Sequence, residues 1–187
     1  MSFGLDEDDE DVQKAISEAV HRNVIIFAAA ANHGGNKGVS YPARNDQVIC
    51  VYASDGIGKP FDCNPTPPVD SFYHFAALGM AVKSYWPRDA KINPEQRGTR
   101  RMTGTSCAAP ITAAIAGCIL EFAYINSFPR NMLATLKSRQ GMQKVLRGLM
   151  VAENLRDGFH YIRPWSMFDD KTEQEIIVLI KECLKYK

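Results

Sequence analysis

The apolar residues Val12, Ala15, Ile16, Ala19 and Val20 recur at the spacing of one helical face, which predicts a helix over about residues 8–22. Asp6 to Asp11 set negative charge ahead of it, where the positive end of a helix dipole favours it. Asn23 breaks this pattern. The run that follows, Val24 to Ala30, is continuously apolar with β-branched residues first, as in a strand buried on both faces of a parallel sheet. A Gly- and Asn-rich loop, Asn32 to Gly38, then leaves the carboxyl end of the strand, the end where open α/β sheets bind ligands. A second strand, Val48 to Ala53, follows the turn Tyr41-Pro42-Ala43. Residues 55–70 carry six glycines and prolines and read as irregular surface chain, with Phe72 to Lys83 returning to the sheet edge.

Further along, Pro87 to Arg101 is polar and basic, and Met102 to Ser106 leads into an apolar segment, Cys107 to Tyr124, of about five helical turns. Its small residues Ala108, Ala109, Ala113, Ala114, Ala116 and Gly117 allow close packing, so this helix is expected to be central and buried. Pro110 falls in its first turn, where the missing amide donor costs little. Beyond Asn126 the chain becomes more charged and reads as two or three amphipathic helices, interrupted at Arg163-Pro164-Trp165. The pattern as a whole predicts an α/β fold, a parallel sheet flanked by helices, over residues 1–126 and a helical extension over 127–187.

Composition narrows the function. A chain of 187 residues with 45% apolar and 23% charged residues can bury one sizeable core. Its 22 basic and 21 acidic side chains nearly cancel, which removes the long-range attraction to phosphate and excludes a nucleic-acid partner. No uninterrupted apolar run approaches the roughly 20 residues of a membrane helix, so no membrane partner is expected. The acidic start is unlike a signal peptide. Five cysteines, odd in number and without a C-x-x-C pair, fit reduced thiols in the cytoplasm. The acidic run 6–11 suits a solvated helix cap better than a calcium site, so neither a metal nor a cofactor is expected.

Ser106 stands between a glycine-threonine turn and the start of the small-residue helix, which exposes its hydroxyl among unpaired backbone amides. Those amides would stabilise negative charge on an attacked carbonyl oxygen. The same position equally suits a simple N-cap, and local pattern alone leaves both readings open. An ester-hydrolase elbow, G-x-S-x-G, is not met, because Ala108 occupies the second glycine position.

The segment Gly104-Thr105-Ser106-Cys107-Ala108-Ala109-Pro110 resembles the G-T-S-x-A-x-P signature around the nucleophile of the subtilase (peptidase S8) family. Four further stretches resemble that family in the same order. Met1-Ser2-Phe3-Gly4 is similar to its M-S-x-G substrate strand, and Val24 to Asn32 to the strand ending in its oxyanion-hole asparagine. Tyr41-Pro42-Ala43 is similar to its Y-P-A turn, and Ala76 to Gly79 to its A-P-G turn. The resemblance covers about residues 1–125. It implies a subtilisin-like serine endopeptidase in which Ser106 is the acylated nucleophile and Asn32 donates to the oxyanion. It further implies that Ser2, Phe3 and Gly4 pair with the backbone of a protein or peptide substrate, while Ala29, Ala30 and Ala31 wall the specificity pocket.

The chain departs from the family in several places. Ala31 stands where the family has glycine, and Leu78 where it has proline. In the family the catalytic aspartate and histidine precede the M-S-x-G strand, where this chain begins. His21, His33, His74 and His160 lack the family's histidine motif, although His33 lies near the active-site edge. The expectation is therefore a partial domain, incomplete at the N-terminus, whose base comes from a missing segment in cis or from a complementing chain. A catalytically inactive interaction module is the competing expectation.

Overall fold

A computed structural model describes residues 1–69, 73–86, 98–151, 157–169 and 171–185. The first helix, α1, spans Glu10–His21, and its start is fixed by Asp9, whose Oδ1 accepts from the amides of Asp11 (3.0 Å) and Val12 (2.9 Å). Asp6 and Asp8, in the same acidic run, face Lys37 and Arg44 as surface ion pairs.

Strands β1 (Phe27–Ala29), β2 (Ile49–Ser54) and β3 (Phe75–Leu78) pair in parallel, and β6 (His160–Tyr161) adds to β3 in the same sense. Strand order is β1-β2-β3-β6. Side chains alternate between the two faces, as the two-residue repeat of a strand requires. Ala28, Ala30, Val48, Tyr52 and Ala76 meet Ile16 of α1, whereas Phe27, Ala29, Ile49, Val51, Phe75 and Ala77 meet the opposite layer. Both faces are covered, which is why the first strand is apolar without alternation.

The opposite layer is led by α2 (Thr105–Ile125), with α3 (Arg130–Leu136), α4 (Arg139–Val145), a π-helical turn (Leu146–Met150), α5 (Trp165–Phe168) and α6 (Glu173–Lys185). Leu136, Met142, Leu146, Ile162, Met167 and Ile180 join Phe75 and Ile119 in one apolar cluster. Residues on both sides of Asn126 thus share a core, and 127–187 contributes β6 to the sheet as well as helices.

That added strand changes one expectation. The return after residue 72 was placed at the sheet edge, but β3 lies inside the sheet because β6 takes the edge beyond it. Residue 72 and the stretch 87–97 of the basic segment fall outside the described residues. The described end of that stretch forms β5 (Thr99–Met102), antiparallel to β4 (Val82–Tyr85) in a separate exposed hairpin. Chain 55–64 is irregular as expected and is pinned by Asn64, whose side chain bonds both the amide (3.0 Å) and the carbonyl (2.8 Å) of Ala53.

A second correction concerns α2. It was expected to be central and buried, yet within it only Thr105, Ala108, Ala109, Thr112, Ala116, Ile119 and Ala123 are buried. Pro110, Ala113, Ala114, Gly117 and Cys118 are exposed, because the sheet covers one face of the helix alone. By length and composition α2 is also apolar enough to cross a membrane, contrary to the count of apolar runs, since small residues and threonines break the run without making it polar. Its packing on β1, β2 and β3 accounts for that composition.

Candidate active site

The carboxyl end of β1, the extended segment 2–4 and the start of α2 converge on a cleft of about 210 Å³. Ser2, Phe3, Gly4, Ala29, Ala31, Asn32 and Ser106 line it, together with His33, Ser40 and Thr105. The extended segment 2–4 is held between two neighbours. Met1 O accepts from Ala29 N at 3.0 Å, and Leu5 exchanges both backbone bonds with Tyr41 (2.7 and 3.0 Å). Gly4 is required by close approach, since a Cβ there would stand 2.8 Å from Ser40 Cβ.

Asn32 and the start of α2 are built as one unit. The Thr105 amide donates to Asn32 Oδ1 at 2.9 Å, so the asparagine caps the helix from another part of the chain. This fixes the plane of the side chain and leaves Nδ2 without a partner among the described residues. Thr105 Oγ1, fully buried, accepts from Ala31 N at 3.3 Å, so one threonine clamps the loop at two consecutive residues. Gly104 makes the approach possible: its φ of +147° suits glycine, and a Cβ would lie 3.1 Å from both Asn32 amide atoms.

Of the first amides of α2, that of Thr105 serves Asn32 and that of Cys107 donates to Gly104 O at 3.0 Å. The Ser106 amide has no acceptor among the described residues. It faces, with Asn32 Nδ2, a cleft at the positive end of a long helix, an arrangement able to receive an anionic oxygen. The exposed Ser106 hydroxyl donates to Ser2 O at 3.2 Å, and Ser2 Oγ donates back to Ser106 O at 3.1 Å.

Ala31 shows its departure from glycine in the backbone: it sits at φ +120°, a region costly for any residue with a Cβ. Ala30 is not brought to the cleft. Its methyl is fully buried on the α1 side of the sheet with Tyr41 and Tyr52, since neighbouring strand residues point to opposite faces.

None of the four histidines, all among the described residues, is hydrogen-bonded to Ser106. His33 is exposed and lines the cleft. His21 Nδ1 contacts Ser17 O, and His74 contacts Gly158 O and Pro68 O, each at 3.2 Å. His160 is buried beside Tyr73 and Phe75, and its Nδ1 accepts from His74 N at 3.2 Å. Burial, with the Arg147 and His74 charges adding to it, pushes His160 down to about 4. Burial raises the Cys107 thiol beside Ser106, which favours its neutral, unreactive form. All five cysteines are free. The sequence pointed to neither Thr105 as a clamp nor Ser40 as a wall, although G-T-S contains the threonine.

Comparison with known proteins agrees with this geometry. Residues 1–155 match the model of the subtilase family, peptidase S8. A subtilisin-like protease, het-Q2, of Podospora anserina is 24% identical over 74% of this chain and 39% of its own length. The major intracellular serine protease of Bacillus subtilis is 26% identical over 96% of this chain and 54% of its own. A solved structure of a mutant protease domain of PatA superposes with a TM-score of 0.70 at 22% identity, covering 97% of this chain and 58% of that one. The chain thus spans roughly 39–54% of the length of these curated relatives. With the family model matched over most of its residues, and the parallel sheet and long central helix to go with it, this chain belongs to the subtilase family of serine peptidases.

Proposed function

We propose that this chain carries the nucleophile and the oxyanion hole of a serine endopeptidase that cleaves internal peptide bonds through an acyl-enzyme on Ser106. The observation that carries the reading is the unit Asn32-Thr105-Ser106, in which one hydrogen bond of 2.9 Å aims an asparagine amide and a free helix amide into the same cleft as the serine hydroxyl. In the reaction Ser106 Oγ adds to the scissile carbonyl carbon while its proton passes to a base. Asn32 Nδ2 and the Ser106 amide hold the resulting oxyanion. Collapse expels the amine, which takes the proton from the base, and water then hydrolyses the ester and frees Ser106.

The base is the part these residues do not supply. Without one, a serine hydroxyl at neutral pH is a poor nucleophile. The proposal therefore includes a histidine, oriented by an aspartate, from another segment in cis or from a complementing chain, and a protein or peptide substrate lying along Ser2 to Gly4. The test is fluorophosphonate labelling of the chain alone, and of the chain joined to a segment bearing a subtilase's aspartate and histidine motifs. Labelling is expected only in the joined form and is expected to vanish in Ser106→Ala. A joined chain that is folded yet does not label would overturn the reading.

A second reading is supported by the closed Ser2–Ser106 pair, in which the serine hydroxyl already donates to a backbone oxygen. Such a cleft would bind an extended peptide without cleaving it. Retention of a peptide by the joined but non-labelling chain would favour this reading.

A further inference from the structure

The cleft at Ser106 has a floor as well as walls. Ser40 N donates to Ala30 O at 3.0 Å and Ser40 O accepts from Arg44 N at 3.2 Å, so the backbone of this residue is fixed on both sides. Its neighbours Val39 and Tyr41 turn into the apolar layer on the α1 side of the sheet. Ser40, between them, turns the other way and lines the cleft. Its side chain closes the gap toward segment 2–4, since a Cβ on Gly4 would meet Ser40 Cβ at 2.8 Å and Oγ at 3.2 Å.

The walls beside this floor are short. Gly4 has no side chain, and Ala29 and Ala31 offer one methyl each. A side chain entering between them meets apolar surface first and a hydroxyl at the end. Ser40 is only 6% exposed, and its Oγ has no hydrogen-bond partner among the described residues. What surface it keeps opens on the cleft. Buried hydroxyls are normally satisfied, so this one is left for whatever side chain reaches it.

Charge and size narrow the choice. No Lys, Arg, Asp or Glu lines the cleft, and His33, its one titratable side chain, is exposed. A charged tip would leave water and find no counter-charge, whereas a neutral amide or hydroxyl exchanges its water for Ser40. The cleft's 210 Å³ must also hold the scissile peptide, and an aromatic ring would have to displace the floor.

We propose that Ser40 is a specificity-determining residue of this cleft, which selects a short, uncharged polar side chain, that of asparagine or serine, on the residue that contributes the scissile carbonyl. The inference rests on the peptidase reading above and adds its substrate class. Ser40 stands outside the unit Asn32-Thr105-Ser106 and acts only on the tip of the side chain, for which its hydroxyl both donates and accepts.

Product-like peptides test this on the chain as it exists, because their binding needs no base. Acetyl-Ala-Ala-X, with X as Asn, Ser, Leu or Phe, is titrated calorimetrically as the free acid, and the Asn peptide also as its primary amide. The terminal carboxylate sets one oxygen against Asn32 Nδ2 and the Ser106 amide. The Asn acid is expected to bind with a Kd of about 1 mM or tighter. It should bind about fivefold more tightly than the Leu acid, its match in shape, and about tenfold more tightly than the Phe acid. Ser40→Ala is expected to erase the advantage of Asn over Leu while leaving the Leu acid unchanged, and Ser40→Gly to strengthen the Phe acid about tenfold by removing the floor. A purely structural role would move all the peptides together. Equal binding of Asn and Leu, tightest binding of Phe, or a Ser40→Ala that weakens every peptide alike overturns the inference, and the cleft reading then stands if the Asn acid still outbinds its amide. No acid binding up to about 10 mM also overturns it, and labelling of the joined chain decides the cleft reading separately.

Discussion

The two flanks of the parallel sheet are built on opposite priorities. At the β3–β6 flank, Phe75 is fully buried, Tyr73 stacks on it with ring centroids 5.4 Å apart, and His160 Nδ1 is satisfied by the His74 amide. At the β1 flank, Ala31 holds a glycine-like φ of +120°, Asn32 Nδ2 and the Ser106 amide are left without partners among the described residues, and Phe3 is 49% exposed. One flank spends its side chains on packing. The other keeps polar groups open and tolerates strain, the usual condition of a site that must receive a ligand. Substitutions should therefore separate the flanks, with stability moving at one and chemistry at the other.

The largest effect is expected at the packed flank. Phe75→Ala removes a fully buried ring and should lower unfolding free energy by about 3–5 kcal/mol in a denaturant titration. Its effect on fluorophosphonate labelling of the joined chain should be small at temperatures where the protein stays folded. A labelling loss as large as that of Ser106→Ala would break the division between flanks.

Acid should act on the same flank. His160 is held down to about 4 in the fold against 6.5 when free, so between these values the unfolded chain binds the extra proton. Stability from this group is complete above pH 6.5 and is lost as pH falls through 4. Protonation also removes the Nδ1 lone pair that accepts from His74 N. A thermal scan should show Tm falling across that window, and His160→Gln should flatten the fall. An unchanged slope would remove His160 from the account.

At the open flank the effects are smaller and fall on chemistry. Thr105→Val keeps the shape but strands the Ala31 amide, costing about 1–2 kcal/mol, and it should slow labelling of Ser106 in the joined chain by loosening the loop that carries Asn32. Thr105→Ser, which restores the acceptor, should recover most of the labelling rate. Ala31→Gly should do the reverse of ordinary glycine substitutions and raise stability by about 1 kcal/mol, because relief of a strained φ outweighs the added freedom of the unfolded chain. A loss of stability there would show that the loop bears no strain.

Much of this was legible in the sequence, for local reasons. The heptapeptide from Gly104 to Pro110 identified the serine and the start of its helix, and the unbroken run before Asn32 identified a strand covered on both faces. Both are short, contiguous patterns in which neighbouring side chains report one another's surroundings. The π-helical turn, the two-residue β6 and the β4–β5 hairpin gave no such signal, because a strand of two residues has no periodicity to read. Ala30 was assigned to the cleft with its neighbours, and only the alternation of a strand actually formed places it on the other face.

The sequence by itself determined which residues could carry chemistry, since Ser106, Asn32 and the G-T-S turn are matters of residue type and spacing. Only the tertiary structure decided how they act together. Asn32 and Thr105 are 73 positions apart, and nothing local reveals that one caps the other. It also decided that α2 is covered on one face. Burial and long-range hydrogen bonding are properties of the assembled layers, and a chain can state its preferences for them without stating which surfaces meet.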